Sequence, residues 1–237
     1  MRRFVRRLGT LLILAGVLTL VWVLVVWQWQ DPFTSLYTRW KQHQLAASYK
    51  RRTEHFKTIR ITPGASLAVA KREIAREAAR YRRISKRGEA IARIKVPRLG
   101  LNMVVVNGTD HGSLMKGPGR DLLTFMPGQG RLVYVAGHRT TYLAPFAHID
   151  SLRAGDPVTL ELPYATFRYR VVRHRIVKAD DLSVLRSPDY EVLALQACHP
   201  RFFASHRYIV YAKPIRVEPR AGPAYTLAAG RALTPNA

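Results

Sequence analysis

Three residues at the ends of apolar runs have the side chains needed for acyl transfer: Cys198, His138 and Arg207. Cys198 is the only cysteine in the chain and closes Leu193-Ala194-Leu195-Gln196-Ala197-Cys198, with His199-Pro200 next. His138 follows Leu132-Val133-Tyr134-Val135-Ala136 across Gly137 and precedes Arg139. Arg207 opens Tyr208-Ile209-Val210-Tyr211-Ala212. A thiol attacks as the thiolate, and a neighbouring imidazolium or guanidinium lowers its pKa. A cation there can also stabilise the oxyanion of an acyl transfer. Adjacent strand residues point to opposite faces, so His199 is poorly placed to serve its neighbour and His138 is the better acid–base candidate. His111, His148, His174 and His206 fall in expected loops or surface strands, and His43 and His55 in a helical segment. Arg201, in the loop expected after Pro200, competes with Arg207 for the cationic role. No pair of His or carboxylate residues lies at ligand spacing with the thiol, so a metal site is not expected.

The remaining sequence must place these groups. Its 237 residues suffice for one domain with appendages. The formal charge of +24 points to an anionic partner, membrane or nucleic acid. Membrane is favoured by Leu8 to Trp27, interrupted only by Gly9, Thr10, Gly16 and Thr19. About twenty apolar residues span a bilayer. Trp22, Trp27 and Trp29 crowd the far end, where indole rings prefer the interface. Arg2, Arg3, Arg6 and Arg7 precede the span and no Lys or Arg follows until Arg39. The N-terminus is therefore expected in the cytoplasm and the remainder outside. A cleaved signal peptide would have a shorter apolar core and a small-residue exit, whereas this exit reads Trp27-Gln28-Trp29-Gln30. An unpaired thiol outside the cytoplasm draws attention as a reactive group.

Asp31-Pro32 reads as a helix start, with Leu36, Trp40 and Tyr49 recurring near helical spacing through Lys57. Thr62-Pro63-Gly64 breaks that run. A second helix is expected after Ser66, with Leu67, Ala70, Ile74, Ala78, Tyr81 and Ile84 on one face. Lys71, Arg72, Arg76, Arg80, Arg82 and Arg83 form the other face, which suits anionic headgroups or plain solvent equally. Nucleic-acid binding is not expected, because no recognition motif accompanies these charges. From Ile91 the texture becomes that of an all-β domain, with short runs separated by turn signals. Strands are expected at 91–96, 101–106, 132–136, 158–162, 167–172, 191–197 and 208–214. Lys116-Gly117-Pro118-Gly119 and Met126-Pro127-Gly128-Gln129-Gly130 read as loops. The resulting division is an anchor at 1–30, a basic helical linker at 31–88, a β domain at 89–217 and a disordered tail at 218–237.

The order His138, Cys198 in a TLxTC-like segment, and Arg207 at the head of the next strand resembles the sortases, cysteine transpeptidases of Gram-positive cell surfaces. The likeness is greatest to class E, typical of actinobacteria. It is carried by Ile94-Lys95-Val96-Pro97-Arg98-Leu99-Gly100-Leu101, Lys116-Gly117-Pro118-Gly119, Ala136-Gly137-His138-Arg139-Thr140-Thr141-Tyr142 with Pro145-Phe146, and Cys198-His199-Pro200. The resemblance covers about Glu89 to Val217. It implies an eight-stranded sortase-like β-barrel, here preceded by a transmembrane helix and juxtamembrane helices. It also implies cleavage of an LPXTG-like C-terminal sorting signal between Thr and Gly, by way of a thioacyl-enzyme. Cys198 would be the nucleophile, His138 the acid and base, and Arg207 the holder of the substrate carbonyl and oxyanion. By their places in these segments, Ala136, Tyr142 and Ala197 would bind substrate. Partners would be signal-bearing surface proteins and a cell-wall precursor or pilin amine. No cofactor is implied. Calcium dependence in some relatives uses acidic loop clusters, for which only Asp180, Asp181, Asp189 and Glu191 are placed, and it is not expected. Both threonines of TLxTC are alanine here, in Ala194-Leu195-Gln196-Ala197-Cys198, which leaves the peptide preference open but not the reaction class.

Two other readings remain at this point. A peptidoglycan L,D-transpeptidase also uses exported Cys and His, but its Ser/Thr-His-Gly-Cys order is absent. A non-catalytic membrane-tethered scaffold derived from a sortase would keep the fold with a slowly reacting thiol.

Overall fold

The computed structural model describes residues 2–29 and 32–227. Eight strands, β1 (Ala90–Val96), β2 (Leu101–Asn107), β3 (Gly119–Arg120), β4 (Leu132–Ala136), β5 (Pro157–Glu161), β6 (Ala165–Lys178), β7 (Val192–His199) and β8 (His206–Pro219), lie in the order β6-β5-β1-β2-β3-β4-β7-β8. β8 pairs back onto β6 and closes the barrel, as expected from the sequence. β2–β3 and β4–β7 are parallel and the other barrel pairs antiparallel. A short β9 (Tyr225–Thr226) adds to the outside of β8.

Closure gives every strand an inward and an outward face. On β7, Leu193, Leu195 and Ala197 enter the interior core with Val133 and Val135 of β4 and Val210 and Ala212 of β8. Their neighbours Val192 and Ala194 join Leu132, Tyr134, Ile209 and Tyr211 in a second cluster on the outer face. Val184, from a short 3₁₀ turn at Leu182–Leu185, covers that cluster. β4, β7 and β8 are thus buried on both sides near this turn, which explains their nearly continuous apolar runs.

Three long helices precede the barrel: α1 (Arg2–Trp29), α2 (Pro32–His55) and α3 (Leu67–Ile84). Over residues 2–25, α1 is long and apolar enough to cross a membrane, with a mean hydropathy of 2.6. α3 starts at Ser66, whose side chain accepts from the Val69 amide. It buries Ala70, Ile74, Ala78 and Tyr81 in the interior core, while Leu67 and Ile84 stay exposed. The packed face of α2 differs from the expected one. Leu36 and Trp40 are exposed, Tyr49 alone of the expected stripe is buried, and α2 is fixed with it by Thr38, Gln42, Leu45 and Arg52. Gln42 donates to the Val104 and Lys116 carbonyls and accepts from the Val104 amide. Such contacts are polar, so an apolar periodicity does not find them.

Two boundaries need correction. Lys116–Gly119 is not wholly a loop: Gly119 opens β3, a two-residue strand too short for any periodicity to register. The segment at 218–237 is not disordered throughout. β8 continues to Pro219, Ala221 accepts from the Ile61 amide, and Tyr225–Thr226 pairs with β8. Residues 228–237 lie outside the described residues, as do Gln30 and the expected helix cap Asp31.

Candidate active site

β7 and β8 place Cys198 directly opposite Arg207, with Gln196 opposite Ile209. Directly opposed residues share a face, with Cβ atoms about 4.5–5.5 Å apart. On the other side, β4 runs parallel to β7 with Ala136 level with Gln196, and the Gly137 amide donates to the Gln196 carbonyl at 3.0 Å. Two residues on, the same alignment brings His138 level with Cys198. The thiol thus lies between the strand that carries the guanidinium and the segment, just past the end of β4, that carries the imidazole. All three belong to the outer face, because Val133, Val135, Leu195, Ala197 and Val210 take the interior positions.

His138 is held by local packing. Its carbonyl accepts from the Phe146 amide at 3.1 Å, and Phe146 is fully buried. A Cβ at position 137 would lie 2.7 Å from the Phe146 ring, so only glycine lets the chain pass before His138. Tyr142, Leu143 and Ala144 all have positive φ (53°, 62° and 38°), a conformation costly for residues with a Cβ. The turn is held by Ala144 N–H to Thr141 O, Ala147 N–H to Ala144 O, and Tyr142 N–H to Thr34 Oγ1 of α2. It sets the Tyr142 ring 5.0 Å from the His138 ring and 6.3 Å from the His111 ring. Burial pushes the His138 pKa below its ordinary 6.5, and the nearby His111 adds to the effect. His138 Nε2 is buried and has no partner among the described residues, so it is available for proton transfer.

Arg207 donates from one terminal nitrogen to the Ala204 and His206 carbonyls at 2.7 and 3.0 Å. Those contacts fix the guanidinium while its remaining N–H groups stay available to a carbonyl or oxyanion. Arg201 sits in the loop with its guanidinium over the Phe202 ring. His199 points elsewhere: its Nδ1 is 3.0 Å from Arg139 and its ring packs against Tyr208. Guanidinium nitrogens only donate, so this Nδ1 accepts.

Of the residues expected to bind substrate, Ala136 ends β4 on the outer face and Tyr142 packs against His138. Ala197 does not belong with them. It is fully buried in the interior core, because alternation turns it inward when Cys198 faces out. Arg139 gained no role from the sequence, since in an arginine-rich chain it reads as surface charge. It is buried, with 4% exposure. It pairs with Asp150 at 2.7 Å and donates to the Cys198 carbonyl at 3.2 Å. One guanidinium therefore ties the His138 segment to the cysteine-bearing strand end. No group of three His, Cys, Asp or Glu among the described residues could hold a metal ion.

The Sortase domain family model matches residues 94–215, just over half the chain, and takes in all of β2–β7. The chain belongs to the sortase family. Sortase D of Bacillus subtilis is 32% identical over 132 residues, which are 54% of this chain and 65% of that relative, a little under two thirds of its length. A sortase E structure from Streptomyces avermitilis is 33% identical, with a TM-score of 0.51, over 56% of this chain and 93% of that one. A Clostridium perfringens sortase D5 transpeptidase, 22% identical, shares the fold with a TM-score of 0.59 over 74% of this chain and 98% of that one. Sortases as a family are cysteine transpeptidases, and Cys198 is the only cysteine this sortase has.

Proposed function

We propose that this sortase cleaves an LPXTG-like sorting signal and transfers the acyl half to an amine. The observation behind it is that Cys198 has Arg207 as its cross-strand partner while His138 follows two residues after the end of the parallel strand, whose last residue, Ala136, is level with Gln196. The Cys198 thiolate attacks the threonine carbonyl carbon. The oxygen becomes an oxyanion within reach of Arg207. The C–N bond breaks as His138 delivers a proton to the leaving glycine amine, and a thioester remains. An incoming amine from a cell-wall precursor or pilin lysine then attacks the thioester. His138 takes its proton, a new amide forms and the thiolate departs.

In this reading α1 is a single-pass anchor with its arginine-rich start in the cytoplasm and the barrel outside. Its support is the apolar helix over residues 2–25 and the four arginines, Arg2, Arg3, Arg6 and Arg7, gathered at its N-terminal end. The basic face of α3 is open to solvent at Lys71, Arg72, Arg76 and Arg83 and is free to meet anionic headgroups.

The test uses the full chain in neutral detergent, a fluorogenic sorting-signal peptide and an added amine. Wild type should release the glycine half and form the amide product, and Cys198→Ala should do neither while keeping its melting temperature. Equal turnover by Cys198→Ala would end the reading. A thiol that labels no faster than a buried one, with no turnover, would favour the scaffold.

A further inference from the structure

The course of α2 tells which end of the barrel faces the anchor. Thr34 accepts from the Tyr142 amide at 3.2 Å, and Thr38 donates to the Met115 carbonyl at 2.9 Å. Farther along α2, the Tyr49 hydroxyl donates to the Glu161 carbonyl at 2.7 Å, and Arg52 pairs with Glu89. Tyr142 belongs to the turn beside His138, at the end of the barrel where His199, His206 and Lys178 are level. Glu161 ends β5 just before β6 starts at Ala165, so it lies at the opposite end. α2 therefore runs from the end that holds Cys198 to the far end. Trp29, the last residue of α1, is five residues before Thr34. Five residues reach at most roughly 18 Å even when fully extended. With α1 in a bilayer, the thiol end of the barrel is the end beside the lipid. The basic face of α3, the other candidate for a membrane contact, is at the far end. There Tyr81 donates to the Ile91 carbonyl at 2.8 Å and its ring packs 5.6 Å from that of Tyr164, in the turn between β5 and β6.

The loop from β7 to β8 stands at the thiol end and exposes two phenyl rings. Phe202 is 60% and Phe203 82% exposed. Phe202 and Ala204 have positive φ, 75° and 54°, which is costly for residues with a Cβ. The turn is pinned by the Ala204 amide on the Pro200 carbonyl at 3.2 Å and by Arg207 on the Ala204 carbonyl at 2.7 Å. The rings are thus held outward on a fixed backbone. The connection after β6 starts against the same loop, with the Ala179 amide 3.2 Å from the Ser205 carbonyl, and carries Leu182, also exposed. Charge at this edge is mixed. The Arg201 guanidinium lies 5.6 Å over the Phe202 ring, and Lys178 and Asp180 are both exposed. A hold on a surface must then come from the apolar rings rather than from net charge. Phenyl rings beside a long basic side chain suit the headgroup level of a bilayer, where the rings are buried and the cation stays wet.

We infer that the Phe202–Phe203 tip rests in the headgroup layer of the bilayer that holds α1, as a second membrane contact that fixes the mouth of the active site on the lipid surface. The inference rests on the anchoring reading of α1 above and adds an orientation to it. Cys198 is four residues before Phe202, and Arg207 is four after Phe203. The reacting groups are thereby kept close to the lipid, an orientation that selects substrates presented at the membrane surface.

The test uses the full chain in phosphatidylcholine vesicles, with and without anionic lipid, that contain a lipid spin-labelled at its headgroup as quencher. A fluorophore is attached at S205C, beside the tip, or at R76C on the basic face of α3, each in the Cys198→Ala background so that the probe has the only thiol. Quenching should be at least about threefold stronger at 205 than at 76, because an interfacial contact reaches only about 5–10 Å into the headgroup boundary. Adding F202S/F203S should remove most of the quenching at 205 and leave the melting temperature unchanged, since both rings are exposed. If the double variant melts early, F203S alone repeats the comparison. Equal quenching at the two positions, stronger quenching at 76, or quenching at 205 that survives the loss of both rings would overturn the inference. So would slower turnover of a soluble peptide in neutral detergent by F202S/F203S with quenching unchanged, which would give the rings to the peptide. Flotation of the vesicles separates this from the anchoring reading. A chain that floats with an unquenched probe at 205 overturns the inference alone, and a chain that does not float removes the anchor and the inference with it.

Discussion

The two walls of the β4–β7–β8 sheet are built from alternate residues of the same strands and do opposite work. The inner wall, with Val133, Val135, Leu193, Leu195, Ala197, Val210 and Ala212, is fully packed. The outer wall presents His138, Gln196, Cys198 and Arg207, half-buried and still able to meet a substrate. The inner wall fixes the register, since a slip of one residue would exchange every side chain between core and surface. The chemistry outside is therefore aligned by packing inside, and the two walls can be tested against each other.

The largest effect should come from exchanging the walls at one step. In A197C/C198A the thiol would point into the core. Peptide turnover should vanish and labelling by a thiol reagent should slow by orders of magnitude, although composition is unchanged. Rapid labelling of that variant would show that β7 does not hold its register at its end. Next is Arg207, which lies on the outer wall opposite Cys198. Loss of one oxyanion donor costs about 2.7–4 kcal/mol, or roughly two to three decades in turnover. Single-turnover acylation by Arg207→Ala should fall by at least that much, and Arg207→Lys should recover part of it, since an ammonium lacks the planar fork. Arg201→Ala should stay close to wild type, and a collapse there instead would transfer the role to the loop.

Arg139 belongs to neither wall but ties the His138 segment to the end of β7. Arg139→Ala leaves Asp150 and the Cys198 carbonyl without their donor. We expect kcat to fall by about tenfold with KM little changed, and Arg139→Lys to restore part of kcat by keeping the ion pair. A loss confined to melting temperature would make Arg139 a purely structural residue. The smallest effect concerns His138 and stability. Its pKa is depressed on folding, so above about pH 6.5 it contributes nothing to the pH dependence, and as pH falls below that the unfolded state binds the proton better. Wild type should lose melting temperature on going from about pH 7.5 to about pH 5, and His138→Gln should lose about 1–2 °C less. An identical pH dependence in the two proteins would mean that His138 titrates as if unfolded.

The barrel was readable because its long strands carry strong apolar runs, and the site because Cys198 and His138 end two of them. Alternation alone separated His199 from the thiol. The same rule, applied one position earlier, turns Ala197 inward, against what its place in the cysteine segment suggests. β3 escaped notice because two residues have no period. The seat of α2 was hidden because Thr38 and Gln42 hold it through hydrogen bonds, while the apolar Leu36 and Trp40 face out. Arg139 was hidden by composition: among 39 Lys and Arg residues, a buried guanidinium has no local signature.

The bond from the Tyr142 amide to Thr34 bears on where this protein can be cut. The family match begins at residue 94, but a fragment starting there would discard α2 and α3 together. It would strip the barrel of Tyr81 and Ile74 and leave the turn beside His138 without its outer support. Even a fragment starting after Thr38 would keep the barrel and α3 yet lose the Thr34 strut. An expression boundary drawn by homology and one drawn by the hydrogen bonds of the turn beside His138 thus differ by about sixty residues, and only the second keeps the first turns of α2.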